Sequence, residues 1–302
     1  MRFIITQVVV GILPDQETSD QGLLHSRVKA EGAVHVLDGY KLVNRDLCII
    51  VIVGNRKNIS YVHHLYNGCK ETFMKVTVYN IGTATRNNWI IETEYGLIAV
   101  DTGLSGQADG FLKRFTKQWH KEDLRYIFIT HAHNDHAGFL RELLEKTDVT
   151  AVLCALSQEI MTIGKPSESH AYKNWLGRIL ERAMASNLGT YPPITDNCRL
   201  QIVGDGESVF GDLGIMAKVY KLPGHTSDSI GLHIIERSLM FCGDAAMNRP
   251  VLNANRHTVL IEDVKSYQES WDKLIELNPE LLFPGHGRAF PVSDLVRYRH
   301  YL

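Results

Sequence analysis

Three histidines and one aspartate lie within six consecutive positions, in residues 131–136 (His-Ala-His-Asn-Asp-His). Neutral imidazole nitrogens and carboxylate oxygens are good ligands for zinc and other divalent metals. In an extended backbone His131 and His133 project to the same side and can bind one ion, because side chains alternate along a strand. Asp135 and His136 follow where the chain turns and can face a second ion. A chance grouping of polar turn residues is the alternative, but the spacing favours a metal-binding turn.

The elements around this segment predict that it joins a strand to a helix. The run from Arg125 to Thr130 is mostly apolar, which is typical of a buried strand. After the segment, apolar residues recur at helical spacing, so a helix is expected to begin near Ala137. The cluster of ligand-type residues therefore occupies a strand-to-helix turn.

Three further candidate ligands each follow a strand-like apolar run and stand directly after a glycine: His225, Asp244 and His286. Glycine at such a position permits a close approach of the backbone and unusual torsion angles. Taken singly, each of these residues could be an ordinary turn residue. Strand ends that share one edge of a sheet would bring all three to the turn at 131–136, and the metal hypothesis depends on that convergence.

Asp101 ends another strand-like run and is followed by Thr102 and Gly103. An aspartate before glycine at a strand end is commonly a turn former. The same carboxylate could instead accept a hydrogen bond from a metal-binding histidine and so orient it. The sequence leaves both interpretations open.

The chain organisation predicts an N-terminal extension, residues 1–73, followed by a catalytic domain, residues 74–302. Strands are expected at Arg2 to Leu13 and Asp46 to Val53, and residues 22–42 could form a helix or a hairpin. So short an extension seldom supports its own core, so we expect it to pack on the domain or to mediate self-association as a homodimer.

Residues 157–197 interrupt the regular alternation of strands and helices and are interpreted as an insertion. It contains one predicted amphipathic helix, roughly Glu168 to Met184. The apolar face of this helix could simply cap the core. Alternatively, the insertion could be a lid over a substrate pocket, with His170, Tyr172 or Trp175 touching the substrate.

Composition excludes several classes of protein and partner. Of 302 residues, 44% are hydrophobic and 22% are charged, and the formal net charge is −2. No basic tract suggests a nucleic-acid partner, and no apolar run approaches the ~18 residues of a membrane span. Five scattered cysteines without CxxC spacing favour a reducing compartment, so a cytoplasmic location is expected. The apolar N-terminus superficially resembles an export signal, but its polar interruption favours a strand.

Taken together, these motifs resemble those of the metallo-β-lactamase superfamily. The matching features are the turn at 131–136, the three ligands preceded by glycine, and the strand end at 101–103. The resemblance covers about residues 74–302. It implies an α/β fold in which two mixed β-sheets lie between outer helices, as an αββα four-layer sandwich.

The resemblance also assigns the candidate ligands to two metal ions. One ion is expected to bind His131, His133 and His225. The second ion is expected to bind Asp135, His136 and His286, with Asp244 bridging both. The implied cofactors are two divalent ions, with zinc preferred and iron or manganese as alternatives.

The bridging Asp244 narrows the implied activity. True β-lactamases of the superfamily generally lack an aspartate there, so the site is more similar to the glyoxalase II, lactonase and related hydrolase branches. Two cations lower the pKa of a water molecule that they share, and the resulting hydroxide is expected to attack a small ester, thioester or lactone. Asp135 and Asp244 are the candidate catalytic residues, because either carboxylate could pass a proton to the leaving group.

Two other functions remain open at this stage. Persulfide dioxygenases are similar in the same turn but use one iron, held by two histidines and an aspartate. A scaffold that keeps the fold only for binding is the non-enzymatic alternative. A complete set of seven candidate ligands argues against the scaffold and suits two ions.

Overall fold

The computed structural model describes the greater part of the chain: residues 48–54, 58–65, 76–166, 189–195, 197–249, 255–258 and 260–302. The chain divides into two compact units, one formed by Met1–Asn55 with Ile59–Phe73 and the other by Arg56–Asn58 with Met74–Leu302. The expected strand at Arg2 to Leu13, the helix or hairpin at 22–42 and the helix at 168–184 all lie outside the described residues.

The N-terminal segment contains one antiparallel pair of strands. Strand β1 (Cys48–Gly54) pairs with β2 (Asn58–Leu65), and the register runs from Cys48 opposite Leu65 to Gly54 opposite Ile59. The strand predicted at Asp46 to Val53 is therefore confirmed as β1, shifted by one or two residues.

The first sheet of the larger unit contains strands that are neighbours in the order of the sequence: β3 (Thr77–Asn80), β4 (Trp89–Glu92), β5 (Leu97–Val100), β6 (Leu124–Phe128), β7 (Thr150–Cys154) and β8 (Leu200–Val203). Strands β3, β4 and β5 are antiparallel, whereas β5, β6, β7 and β8 are parallel. The sheet is thus mixed. Strand β6 lies in its interior, and the predicted metal-binding turn follows the carboxyl end of this strand.

The second sheet has six strands: β9 (Ser208–Val209), β10 (Ala217–Lys221), β11 (Ile230–Ile234), β12 (Leu239–Gly243), β13 (Leu281–Pro284) and β14 (Phe290–Pro291). Their order is β14-β13-β12-β11-β10-β9, and only the neighbours β12 and β13 are parallel. The parallel pair therefore places the residues that follow β12 and β13 at the same end of the sheet.

The described helices are α1 (Ala108–Phe115), α2 (Asn134–Ala137), α3 (Leu140–Lys146), α4 (Ala155–Ile163), α5 (Val264–Leu277) and α6 (Ser293–Tyr298). Phe111 of α1 and Leu143 of α3 join the buried cluster on the outer face of the first sheet, with Ile127 of β6. Trp271 of α5 lies in the corresponding cluster of the second sheet with Leu282 of β13. Burial of these apolar faces is the main force that holds the helices against the sheets.

Aromatic side chains join the inner faces of the two sheets. The ring of Trp89 on β4 meets the ring of Phe283 on β13 edge-on, with centroids 5.1 Å apart, and Phe283 stacks on Phe241 of β12 at 4.7 Å. Such offset and edge-on pairs add to the free energy gained by burial. With helices outside and two mixed sheets inside, the αββα sandwich predicted from the resemblance is confirmed.

The sequence placed some element boundaries wrongly. The helix expected from Ala137 begins earlier, at Asn134, and is broken into α2 and α3 around Gly138 and Phe139. Helix α4 extends into the region interpreted as an insertion, so the alternation of strands and helices persists to Ile163. Strands β9 and β14 were not predicted, because two residues are too few to show a period of alternation.

Among the helices in the described part of the chain, none combines the length and the hydropathy that a membrane crossing requires.

Candidate metal centre

Three imidazole rings converge at the carboxyl end of β6. The ring nitrogens Nε2 of His131 and Nδ1 of His133 are 3.1 Å apart, and Nε2 of His225 is 3.0 Å from the same Nδ1 of His133. All three side chains are at most 3% exposed. Their nitrogens form one of the groups that could hold a metal ion, since they lie within 4.8 Å of one another.

These three histidines are held in the neutral form that binds metals. Burial is the main cause that lowers the pKa of His131 well below its usual value, and the charges of the neighbouring histidines lower it further. Burial likewise lowers the pKa of His133 to about 3 and lowers the pKa of His225. Neutral imidazoles whose lone pairs converge repel one another unless a cation lies between them, so the arrangement suits a bound metal ion.

A second group of three lies beside the first. Nε2 of His136 is 3.2 Å from Nε2 of His286, and an Asp135 oxygen is 3.4 Å from the latter nitrogen. Burial alone would raise the pKa of Asp135, but the charges of His136 and His286 lower it far below its usual range. The carboxylate therefore stays ionised and can act as a metal ligand.

Asp244 lies between the two groups. Its Oδ2 is 3.7 Å from Nε2 of His225 and 3.5 Å from Nε2 of His286, while its Oδ1 is 3.6 Å from Nε2 of His136. The side chain is only 4% exposed, and Oδ1 has no hydrogen-bond partner within the described residues. A buried carboxylate oxygen without a donor is costly, and a cation on either side would satisfy it.

The outer nitrogens of the histidines are fixed by acceptors. Nδ1 of His225 donates to the carbonyl of Leu260 at 2.7 Å, and Nδ1 of His286 donates to the carbonyl of Thr85 at 2.6 Å. Each bond fixes the orientation of the ring, so Nε2 faces the centre. Metal-binding histidines typically have such partners.

Asp101 fixes His136 in the same way. Its Oδ2 accepts from Nδ1 of His136 at 2.8 Å, and both carboxylate oxygens accept from Thr130, through the backbone N–H at 2.8 Å and the hydroxyl at 2.9 Å. Of the two roles that the sequence left open for Asp101, the structure shows the acceptor role. Its left-handed backbone, with φ of +60°, aims the side chain under the metal-binding turn.

The sheets explain why residues so distant in sequence meet. The carbonyl of Thr130, two residues after β6, accepts from the N–H of Ile230 at 2.8 Å, which joins the turn of the first sheet to the second sheet. The N–H of Gly285 donates to the carbonyl of Gly243 at 2.9 Å, so the segments after β12 and β13 stay side by side. All seven predicted ligands therefore lie at one rim of the sandwich, as strand ends that share an edge require.

Gly285 shows why a glycine precedes one of these ligands. A Cβ built on Gly285 would lie 2.6 Å from Oδ1 of Asp244 and closer still to Cε1 of His136. Any larger residue would push into both candidate ligands. The glycine is required here for close approach and not for its torsion angles.

Two neighbouring asparagines were missed by the sequence reasoning. Nδ2 of Asn87 donates to the carbonyls of Pro284 and Gly287 at 2.8 and 2.7 Å. Nδ2 of Asn88 donates to the carbonyls of Asp101 and Thr102 at 2.9 and 2.6 Å. Together they tie the loop before β4 to two of the segments that carry the site. The only signal in the sequence is a polar pair directly before an apolar strand.

The donor set fits divalent metal ions. Four tetrahedral ligands at the usual zinc distances lie about 3.3 Å from one another, close to the 3.0 and 3.1 Å that separate the nitrogens of the three-histidine group. Nitrogen and carboxylate ligands without thiolates suit zinc, manganese and iron. The predicted lid residues His170, Tyr172 and Trp175 lie outside the described residues.

Comparison with known proteins assigns the chain to a family. The family model of the metallo-beta-lactamase superfamily matches residues 81–286. The beta-lactamase-like protein 2 homolog of Caenorhabditis elegans is 26% identical over 212 residues, which cover 70% of this chain and 57% of that protein. The chain thus spans little more than half of that relative's length.

Two further relatives have names that state a reaction. The probable metallo-hydrolase YflN of Bacillus subtilis (strain 168) is 28% identical over 64% of this chain and 76% of that protein. The atrochrysone carboxyl ACP thioesterase of Emericella nidulans is 23% identical over 71% of this chain and 55% of that protein.

Solved structures share the fold. An archaeal metallo-beta-lactamase superfamily protein, ST1585 from Sulfolobus tokodaii, superposes with a TM-score of 0.52 at 20% identity, covering 72% of this chain and 80% of that chain. At this identity the likeness concerns the fold alone. Since the family model matches more than half of the chain, this protein belongs to the metallo-beta-lactamase superfamily.

Proposed function

We propose that this protein is a binuclear zinc-dependent hydrolase of small esters, thioesters or lactones. The observation that carries the proposal is the convergence of seven buried side chains as two groups of three around one shared carboxylate, Asp244. In this proposal His131, His133 and His225 hold one ion, and Asp135, His136 and His286 hold the other.

The relatives support hydrolysis of a carbonyl compound. One carries the name of a probable metallo-hydrolase, and another is named a thioesterase. A thioesterase cleaves the bond between an acyl carbon and sulfur, which is chemically close to cleaving an ester or a lactone. The names belong to those proteins, and the substrate of this chain follows from them only as a proposal.

The chain's own residues perform three tasks in the proposed reaction. When bound, two divalent ions lower the pKa of a water molecule and polarise a carbonyl oxygen. The imidazoles position the ions, while hydrogen bonds to Leu260, Thr85 and Asp101 keep three of the five rings in their orientation. The candidate ligands are all buried, with exposures of at most 7%, which keeps bulk water away from the reacting atoms.

Asp135 is the better candidate for moving the proton. It is the most exposed of the seven ligands, at 7%, whereas Asp244 is 4% exposed and enclosed by three imidazoles. A proton carrier must reach both the substrate and solvent in turn. We therefore propose that Asp135 passes the proton to the leaving group and that Asp244 mainly holds the two ions.

The partner of this site is proposed to be a small molecule and not a nucleic acid or a membrane. Lys and Arg total 32 against 34 Asp and Glu, so the chain has no general attraction for phosphate backbones or anionic lipids. A cytoplasmic location is proposed because Cys154, Cys198 and Cys242 are free thiols. Self-association through residues 1–73 stays a prediction.

The test combines metal quantification with a panel of lactones, thioesters and phosphodiesters. We expect two ions per chain, hydrolysis of at least one carbonyl substrate, loss of activity on chelation, and recovery with zinc, manganese or iron. His133→Ala should lose both metal and activity, whereas the exposed His300→Ala should keep both. Full activity and metal content in His133→Ala would overturn the mechanism. One iron per chain with consumption of oxygen would favour a persulfide dioxygenase.

A further inference from the structure

The backbone N–H and the backbone carbonyl of Ala132 are both hydrogen-bonded to buried side chains from other parts of the chain. Its N–H donates to Oδ2 of Asp228 at 2.8 Å, and its carbonyl accepts from the hydroxyl of Tyr191 at 2.7 Å. Ala132 and Asp228 are each 2% exposed, and Tyr191 is 4% exposed. Because Ala132 lies between His131 and His133, these bonds fix the backbone from which both imidazoles project.

Asp228 also belongs to the loop that carries the third imidazole. It follows His225 by three residues, in the connection between β10 and β11. Thr226 and Ser229 brace this loop through a hydrogen bond between their hydroxyl oxygens, which are 2.7 Å apart. The bond from Ala132 to Asp228 therefore joins the segment that carries two ligands to the segment that carries the third.

The carboxylate of Asp228 is itself held in place. Its Oδ2 also accepts from the hydroxyl of Ser157 at 2.7 Å, and its backbone carbonyl accepts from the thiol of Cys154 at 3.3 Å. Both residues lie at the start of α4. Oδ1 of Asp228 has no hydrogen-bond partner in the described part of the chain. A buried carboxyl group with so few donors is costly, which argues that it performs a task beyond packing.

Tyr191 connects the same peptide to the end of the predicted insertion. Its N–H donates to the carbonyl of Gly164 at 3.1 Å, and the N–H of Ile194 donates to the carbonyl of Met161 at 3.1 Å. Tyr191 and Ile194 are both in the buried cluster on the outer face of the first sheet. The C-terminal part of residues 157–197 is thus anchored in the core, next to the metal-binding turn.

We infer that Asp228 and Tyr191 are positioning residues, which clamp the peptide groups of Ala132 and thereby set the spacing of the His131, His133 and His225 nitrogens. This inference rests on the proposed function, since it concerns the metal affinity of the three-histidine group. The two hydrogen bonds go to the backbone of Ala132, one to its N–H and one to its carbonyl. Both act through the backbone between two ligands.

The test measures the affinity of the full-length protein for Zn²⁺ by competition with a chromophoric chelator, together with the visible spectrum of the Co²⁺-loaded protein. Asp228→Leu removes the acceptor and keeps the number and branching of the side-chain heavy atoms, and Tyr191→Phe removes the donor. Asp228→Asn keeps an amide oxygen that can accept from Ala132 and Ser157. Tyr126→Phe is the control, because it removes a tyrosine hydrogen bond to Asp212 that involves neither Ala132 nor Asp228.

We expect Asp228→Leu and Tyr191→Phe to weaken Zn²⁺ binding at the three-histidine group by about tenfold or more, as loss of outer partners of metal ligands usually does, and to alter the Co²⁺ spectrum. Asp228→Asn and Tyr126→Phe should remain within about threefold of the unaltered protein. Should Asp228→Leu fail to fold, the Zn²⁺ affinities of Tyr191→Phe and Tyr126→Phe can still be compared. That comparison decides whether the hydrogen bond to Ala132 matters for metal binding.

Unchanged Zn²⁺ affinity and Co²⁺ spectrum in folded Asp228→Leu or Tyr191→Phe would overturn the inference while leaving the proposed function intact. Equal losses in Asp228→Asn and Asp228→Leu would also overturn it, because the negative charge and not the acceptor would then matter. If the unaltered protein binds neither Zn²⁺ nor Co²⁺, the proposed function fails and this inference fails with it.

Discussion

Replacement of Gly285 by alanine tests whether the packing of the site determines its affinity for metal. The new Cβ would lie 2.6 Å from Oδ1 of Asp244 and closer still to Cε1 of His136. Ordinary contacts between such atoms are about 3.5 Å long, so the carboxylate must move by about 0.9 Å. Metal–ligand distances tolerate only about 0.2 Å. The displacement is therefore several times larger than a coordination sphere accepts.

Neither ligand can move freely to relieve the clash. The ring of His136 is bound through Nδ1 to Asp101 at 2.8 Å, and Asp244 is buried among the imidazoles. Overpacking of this kind costs about 1–3 kcal/mol, so the melting temperature should fall by about 2–12 °C for a unit of this size. The affinity for the ion of the group Asp135, His136 and His286 should fall at least tenfold.

The assay is a competition titration with a chromophoric chelator, in parallel with thermal unfolding of the metal-free protein. We expect Gly285→Ala to bind one ion tightly and the second only weakly, with loss of hydrolysis. The matched control is Gly110→Ala in helix α1, where the new Cβ would have only an ordinary contact with Arg114 at 3.5 Å. Alanine should stabilise that exposed position by about 0.5–1 kcal/mol. Two ions bound by Gly285→Ala at unaltered affinity would refute the reasoning.

Two further substitutions remove side chains that hold the site in place through hydrogen bonds. Asp101→Ala removes the acceptor of Nδ1 of His136 and should weaken metal binding by about 10–100-fold; equal affinity in a chelator competition would show that the ring needs no such partner. Asn88→Ala leaves the carbonyls of Asp101 and Thr102 without their amide donor. It should lower the free energy of unfolding by about 1–3 kcal/mol in denaturant titration, and a change below 0.5 kcal/mol would contradict this role.

Much of the fold could be predicted from local patterns. The apolar runs before Asp101 and Asp244, Leu97–Val100 and Leu239–Gly243, are strands in the structure. These patterns are reliable because the burial of one face imposes a period on the residues of a strand or helix. Short elements at the edges, such as β9 and β14, carry no such period and were missed.

The candidate ligands could also be selected from the sequence, because few residue types bind divalent metals and they stand at the ends of apolar strands. The sequence alone determined which side chains are chemically able to bind metal and that the turn at 131–136 joins a strand to a helix. For Asp101, the sequence was compatible both with a turn former and with a hydrogen-bond acceptor for a metal-binding histidine.

Only the tertiary structure decided how these side chains are supported. It showed that Asp101 accepts from His136 and that Asn88 holds the strand end at 101–103. It also showed that Asp228 binds the N–H of Ala132 and that Tyr191 binds its carbonyl. These partners are separated from the metal-binding turn by about 30 to 100 residues, and their types are common in any turn or core. Hydrogen bonds across such separations depend on how two sheets pack face to face, and no local pattern records that packing.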